Sequence, residues 1–316
     1  MDSTQLWTLT DGHAGNRRQA DALAAALDQG ATRNWALQPR PPWRWLAPHM
    51  LPGATHAFGA TFRGALAQPP RLAIGCGRQG ALATRLLRTR GTTTLQILDP
   101  RIDPRHWDLV IAPHHDGLSG PNVIGLHGSL NPVGDAWLAS ARAQHARFAD
   151  LPQPRTTVLL GGPSAHARFD LRAFQDLASR LDASLSRDGG SVLVSTSRRT
   201  PADLVAAVRQ RYANTPGAVW CGDADGANPY SGLLAWADRI VVSPDSVNML
   251  SEACATEAPV FVFEPGMVSG RPRLFLDALL GSGRIRPMDT ALAPFPVEPL
   301  RETTRVAALV QQRLSL

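Results

Sequence analysis

Short β-type runs alternate with longer helical stretches along the whole chain, and the alternation starts twice. In the first series, residues 5–10, 71–75, 92–99, 107–113 and 122–128 read as strands. Helices are predicted at 17–27 and, after a turn, in the run CGRQGALATRLLRTRG that follows residue 75. A Pro-bearing stretch at 141–157 reads as a linker. The second series has strands at 156–162, 191–197, 217–222, 239–245 and 259–265. Its helices fall at 170–190, ending at Gly189, at 201–213 with Pro201 in the favoured first position, at 231–237 and at 246–256. A last helix covers 302–314. Strands that alternate with helices predict parallel sheets covered on both faces. The expected fold is α/β, with two Rossmann-like domains at 1–150 and 151–300 facing a cleft and a C-terminal helix at 301–316. A length of 316 residues fits about two domains.

Composition removes several chemistries. All 32 basic residues are arginine. Without lysine there is no Schiff-base chemistry and no Walker-type phosphate lysine. The three cysteines, Cys76, Cys221 and Cys254, lie far apart and form no metal spacing or disulfide framework, which fits a reducing cytoplasm. No metal and no cofactor is expected. No apolar run approaches the roughly 20 residues of a membrane helix. The first residues, with an early Asp2, do not read as a secretory leader. The expected location is the cytoplasm, at most peripheral to the inner membrane. Residues 1–150 hold 15 Arg and 10 Asp with no Glu. That balance suits an anionic substrate or membrane surface. No basic run with interleaved aromatics appears, so nucleic acid is not an expected partner.

Ligands of open parallel sheets bind beyond the carboxyl ends of the strands, which directs attention to five loops. In DGHAGN (11–16), Gly12 and Gly15 permit close backbone approach, the following helix start suits an anion, and Asp11 and His13 have acid–base chemistry. The plainer alternative is that Asp11 and Asn16 only cap the turn. GCGRQG (75–80) fits G-x-G-x-x-G, with Asp99 at the distance of a ribose acid. Arg78 adds a cation that a nicotinamide site does not need, and a tight turn would give the same pattern. Gly161, Gly162 and Ser164 open the second series in a turn suited to a pyrophosphate. In STSRRT (195–200), Ser197, Arg198 and Arg199 suit an anion, because guanidinium donates to phosphate as a planar fork; an exposed polar turn is the alternative. In SPDSVNMLSEACAT (243–256), Asp245 and Ser246 stand at a helix start, with Asn248 and Glu252 behind them, and Glu252 has the chemistry to accept two ribose hydroxyls. The bland reading is a capped helix with an ordinary charge.

A sixth feature is RPPWRWLAPHML (40–51), where Trp43 and Trp45 stand beside Arg40 and Arg44. Amphipathic aromatics with arginine suit a membrane surface or a lipid-linked acceptor. A loop packed on the core fits equally well.

Taken together, DGHAGN, GR at 77–78, QILDPR (96–101), DLVIAPHHDGLSGPNVIGLHGSLNPV (108–133), LLGGPS (159–164), STSRRTP (195–201) and SPDSVNMLSEA (243–253) make nearly the whole chain similar to the bacterial relatives of the plant mitochondrial fission ELM family. More broadly the chain resembles GT-B nucleotide-sugar glycosyltransferases. That resemblance implies an N-terminal acceptor domain and a C-terminal nucleotide-binding domain. In the latter, Glu252 would be the ribose acid, and Ser246 and the Gly161–Gly162 turn would contact the diphosphate. His13 would stand where lipid-acceptor enzymes carry their base, although its loop reads DGHAGN where they carry a GGTGGH-like run. The plant family's link to organelle division is not expected to transfer.

Three functions compete at this point. The first is a metal-independent glycosyltransferase with a nucleoside-diphosphate sugar as donor and a lipid-linked or cell-envelope acceptor. The second is a non-catalytic nucleotide-binding scaffold of the same shape. The third is a nicotinamide oxidoreductase built on residues 75–80 and Asp99, which leaves the loops at 195–200 and 243–253 unexplained.

Overall fold

Strands covered by helices on both faces carry near-continuous apolar runs, and such runs form the centres of two sheets in the computed structural model, which describes residues 6–28 and 30–316. The first residue of the expected strand at 5–10 and Asp2 lie outside the described residues. The chain divides into unit 1, residues 1–132 with 302–316, and unit 2, residues 133–301.

Unit 1 contains β1 (Leu6–Thr10), α1 (Ala14–Leu27), β2 (Thr32–Ala36), the short helices α2 (Trp43–Leu46) and α3 (Gly59–Ala65), β3 (Leu72–Cys76), α4 (Gly77–Arg88), β4 (Thr93–Ile97), β5 (Leu109–Pro113) and β6 (Val123–Leu126). All its strand pairings are parallel, in the order β2-β1-β3-β4-β5-β6. Strand β2 has no counterpart in the sequence reading. It is a mostly exposed edge, so its run TRNWA lacks the apolar signature of its neighbours.

Unit 2 contains α5 (Asp135–Gln144), β7 (Arg155–Leu160), α6 (Leu171–Asp188), β8 (Ser191–Thr196), α7 (Ala202–Tyr212), β9 (Gly217–Trp220), α8 (Tyr230–Ala235), β10 (Arg239–Val242), α9 (Val247–Cys254), β11 (Val260–Val262), α10 (Arg271–Gly281) and β12 (Ile285–Pro287). Its sheet is also parallel, in the order β12-β11-β10-β7-β8-β9. Helix α6 shows how local signals place an element. Asp170 caps it by accepting the Ala173 N–H at 3.1 Å. Phe174, Leu177, Ala178 and Leu181 bury one stripe, and Gly189, at φ +68°, ends it.

The expected boundary at residue 150 lies inside unit 2. Helix α5 ends inside the stretch at 141–157, and its Leu138 and Ala141 join a core cluster with Leu234 and Ala235 of α8. The final helix, α11 (Glu302–Leu314), returns to unit 1, where Val306, Ala307 and Val310 pack with Leu6, Leu23 and Leu27. Among the described residues no helix is long and apolar enough to cross a membrane.

Candidate functional site

In each sheet the strand order reverses direction at one place, and the loops that leave the strands there diverge to open a crevice. In unit 2 this place lies between β7 and β10. The loops involved are Gly161–Gly162–Pro163–Ser164 and Ser243–Pro244–Asp245–Ser246. Asp245 joins them. Its carboxylate, with no solvent exposure, accepts the Gly162 N–H at 3.0 Å, the Ser243 hydroxyl at 2.7 Å and the Arg199 guanidinium at 2.9 Å. The Ser243 Oγ in turn accepts the Gly161 N–H at 2.8 Å. Thr200 ties in the loop after β8, accepting the Ser197 N–H at 3.0 Å and donating to the Gly161 carbonyl at 2.5 Å. Only glycine fits the pair. A Cβ on Gly161 would lie 1.9 Å from Asp245 Oδ2, and one on Gly162 would lie 2.3 Å from the Arg199 carbonyl.

These bonds redistribute the expected roles. The Gly161 and Gly162 N–H groups, read as donors to a pyrophosphate, are both taken inside the protein, the first by Ser243 and the second by Asp245. The Asp245 carboxylate, its charge offset by Arg199, holds the loops together. Ser164 Oγ accepts the N–H groups of His166 and Ala167 at 3.2 and 3.1 Å, and Ser197 Oγ accepts that of Arg199 at 3.2 Å, so both serines build turns. Ser246 caps α9 through the Met249 N–H at 3.4 Å. Arg198 and Asn248 differ from these. Arg198 is exposed and Asn248 half-buried, and neither side chain has a hydrogen bond or ion pair among the described residues.

Glu252 departs most from expectation. It is 2% exposed, and its Oε2 accepts the Tyr230 hydroxyl at 2.5 Å. Six residues after Ser246 is 600° of helix, so Glu252 lies on another side of α9 from the cap and turns into unit 2. The far end of α9 is closed by Arg284, a buried cation donating to the carbonyls of Cys254 at 3.0 Å and Thr256 at 2.8 Å. A cation there complements the negative end of the helix dipole. Burial holds the Arg284 pKa below its ordinary value.

Unit 1 has its reversal between β1 and β3. The loops leaving these strands are DGHAGN and Gly77–Arg78, and they touch. Asp11 accepts the Asn16 amide at 3.0 Å on each oxygen and the His13 N–H at 3.0 Å. The His13 ring, 80% exposed, holds Nδ1 3.1 Å from Asp11 Oδ1. Gly12, at φ +80°, makes the turn, and Gly15 lies in the first turn of α1, which begins at Ala14. A Cβ on Gly77 would meet Asn16 Nδ2 at 2.7 Å. Arg78 is exposed beside this contact, with no partner among the described residues.

All three glycines of the G-x-G-x-x-G run have steric causes. A Cβ on Gly75 would meet Gln96 Oε1 at 2.7 Å, and one on Gly80 the Leu9 carbonyl at 2.4 Å. Close packing of α4 on the sheet therefore accounts for the motif. Asp99 accepts the Arg101 N–H at 2.8 Å and pairs with its guanidinium at 3.3 Å. The nicotinamide reading loses the acid it needed.

The sequence reading included Thr200 and Ser243 in its candidate loops without their bracing roles and missed Tyr230; those roles appear only when distant loops meet. It also missed a histidine pair at the carboxyl ends of β5 and β6. The rings of His114 and His127 lie 4.8 Å apart. A Cβ on Gly125 would stand 2.2 Å from the His114 ring. Burial lowers the His114 pKa, and His127 lowers it further. Glu302 accepts the His127 N–H at 2.9 Å and is gripped by Arg305 at 3.0 and 2.6 Å.

Of the two tryptophans near residue 44, Trp45 is 65% exposed. Trp43 is half-buried against the core of unit 1, beside Gly53.

The two parallel sheets with their covering helices give the chain a GT-B-like α/β fold. In fold the chain is similar to the UDP-GlcNAc 2-epimerase of Methanocaldococcus jannaschii, with TM-score 0.56 and 11% identity over 97% of this chain and 99% of that one. It is also similar to the Neisseria meningitidis UDP-GlcNAc 2-epimerase bound to UDP-GlcNAc (0.55, 10%, 98% and 99%) and to Acinetobacter baumannii MurG (0.50, 13%, 98% and 91%). Residues 14–314 match the family described as Mitochondrial fission ELM1, and the chain belongs to that family. It is 29% identical over 280 residues to Mitochondrial fission protein ELM1 of Arabidopsis thaliana, an alignment covering 78% of this chain and 64% of that protein. It is 25% identical over 358 aligned positions to Uncharacterized protein RP120 of Rickettsia prowazekii (strain Madrid E), covering 98% and 99%. The chain thus spans under two thirds of the length of its Arabidopsis relative.

Proposed function

We propose that the chain is a metal-independent glycosyltransferase that uses a nucleoside-diphosphate sugar. The observation that carries this reading is the pair of loops at the unit 2 reversal, held rigid by Asp245 while Arg198 is left unpaired beside them. The donor's diphosphate binds at the first turn of α9, where helix N–H groups and dipole favour an anion. Arg198 and Asn248 reach it as side-chain donors. As the bond between the anomeric carbon and the diphosphate oxygen breaks, this positive edge takes up the charge a metal would otherwise neutralise. The acceptor hydroxyl attacks the same carbon and gives its proton to a base, the role we propose for His13. Asp11 holds His13 Nδ1, so Nε2 serves as the base. The acceptor is lipid-linked or belongs to the cell envelope.

Support from the comparisons is limited to fold, one similar protein having been solved with UDP-GlcNAc bound. A scaffold that binds nucleotide without turnover is the second reading, favoured by the covered Glu252 carboxylate. Thermal shift with UDP and GDP tests the binding that both require, and no stabilisation by either overturns both. Release of diphosphate from sugar nucleotides incubated with membrane extract separates them: turnover abolished by His13→Ala supports the transferase.

A further inference from the structure

Unit 1 carries a surface that the nucleotide reading does not use. Six large apolar side chains are exposed among the described residues, and four of them, Trp45 at 65%, Leu46 at 38%, Met50 at 39% and Leu51 at 42%, fall within seven residues of chain. An apolar group of this kind on a soluble face marks a contact with something else.

The charge around it is one-sided. Between Asp28 and Asp99 the chain holds nine arginines and no acidic residue. Among the described residues, Arg88 is the only one of the nine that pairs with a carboxylate, that of Asp108. Arg40 and Arg44 are exposed beside the apolar residues.

The segment is also fastened. Arg85 donates to the Pro48 carbonyl at 2.7 Å, and Gln79 donates to the Arg44 carbonyl at 3.3 Å. Both anchors stand on α4. Ala47, Ala54 and Ala57 are buried in the core of the same unit. The exposed apolar side chains are thus held outward on a fixed frame, at no further ordering cost when they meet a partner.

We infer that the segment at 40–51 docks on the surface of an anionic lipid bilayer. Trp45, Leu46, Met50 and Leu51 enter the headgroup boundary, and Arg40 and Arg44 meet the phosphates. An amphipathic tryptophan among arginines fits that boundary, and a patch of unpaired cations adds attraction to anionic lipid that salt screens. The inference goes beyond the transferase reading and does not depend on it. The two are connected only through α4, whose first residues, Gly77 and Arg78, adjoin the DGHAGN loop.

The test is co-sedimentation of the full chain with vesicles of phosphatidylcholine alone or with phosphatidylglycerol. Binding is expected to the anionic vesicles and to weaken as salt is raised. Arg44→Glu should weaken it about fivefold or more, and Trp45→Ser, an exposed change that leaves the melting temperature unaltered, should weaken it comparably. Failure to sediment with anionic vesicles at low salt overturns the inference. So does undiminished binding by Trp45→Ser, or a concentration-dependent dimer that Trp45→Ser abolishes, which would make the patch a contact between two copies. Stabilisation by UDP or GDP should be the same in Trp45→Ser as in the parent, so failure here leaves the nucleotide result standing.

Discussion

Arg199 Nη2 stands 2.9 Å from Asp245 Oδ2, and that carboxylate has no exposure left. Its neighbour in sequence, Arg198, is exposed with no partner among the described residues. Adjacent arginines therefore have opposite jobs. Arg199→Ala should lower the melting temperature. Arg198→Ala should leave it unchanged and weaken nucleotide binding about tenfold, the worth of one hydrogen bond to a charged group. Thermal melts with and without UDP or GDP measure both. Asp245→Ala, which strands the Gly162 N–H and Arg199 together, should cost about 2–3 kcal/mol in denaturant unfolding.

Gly161 is fixed by contact rather than by dihedral angle. Its Cβ would fall 1.9 Å from Asp245 Oδ2. Gly161→Ala should cost at least about 2 kcal/mol. Gly281, in α10, has open space around it, and Gly281→Ala should be neutral or stabilising by up to about 1 kcal/mol. Urea midpoints of the two variants provide the comparison.

Tyr230 and Glu252 give a sharper test of the ribose role. The Tyr230 hydroxyl must release Oε2 before a ribose can use it. If Glu252 holds the sugar ring, Tyr230→Phe should bind UDP or GDP as tightly as the parent or more tightly, and Glu252→Gln should bind about tenfold more weakly. Calorimetric titration reads both. Equal affinity in Glu252→Gln and the parent would assign Glu252 to the core alone.

Asp188 sets a pH dependence. Hydrogen bonds from Arg187, and then from Arg239, hold its carboxyl well below the usual carboxylate range. In the folded protein it remains ionised where the unfolded chain, near its ordinary 3.8, takes up a proton. Its stabilisation is therefore complete above that value and is lost as pH falls further. Asp188→Asn also leaves Arg239, 6% exposed, without a carboxylate. The variant should melt roughly 3–5 °C below the parent at pH 7, and the gap should shrink below pH 4, where the unfolded parent takes up a proton that the folded parent does not.

The sequence reading located most strands and helices because buried parallel strands and amphipathic helices carry period and composition. It also placed the loops at both strand-order reversals, since glycine, serine and aspartate gather where strands turn into helices. What it could not separate was scaffolding from openness. Arg198 and Arg199 look alike in a sequence, and only the position of Asp245, 46 residues beyond Arg199, distinguishes them. Glu252 read as presented because its neighbours are small, yet the helical angle turns it inward to Tyr230. G-x-G-x-x-G left a cofactor loop, another ligand contact and a tight turn all open, and only the contacts of Gln96 with Gly75 and of Leu9 with Gly80 explain those glycines. Strand β2 and helix α5 were overlooked for different reasons. The first is an exposed edge without an apolar run, and the second runs directly into the Pro-bearing stretch.

Helix α11 completes the first unit from the other end of the chain. Glu302 holds the His127 N–H, Thr303 exchanges hydrogen bonds with Asn131 at 2.9 and 2.7 Å, and Val306 and Val310 fill the core beside Leu6. During synthesis, every residue of unit 2 leaves the ribosome before that helix does. The half made first therefore lacks one helix of its own core until the half made second has been synthesised, so the usual N-terminal-first completion of domains does not hold for unit 1.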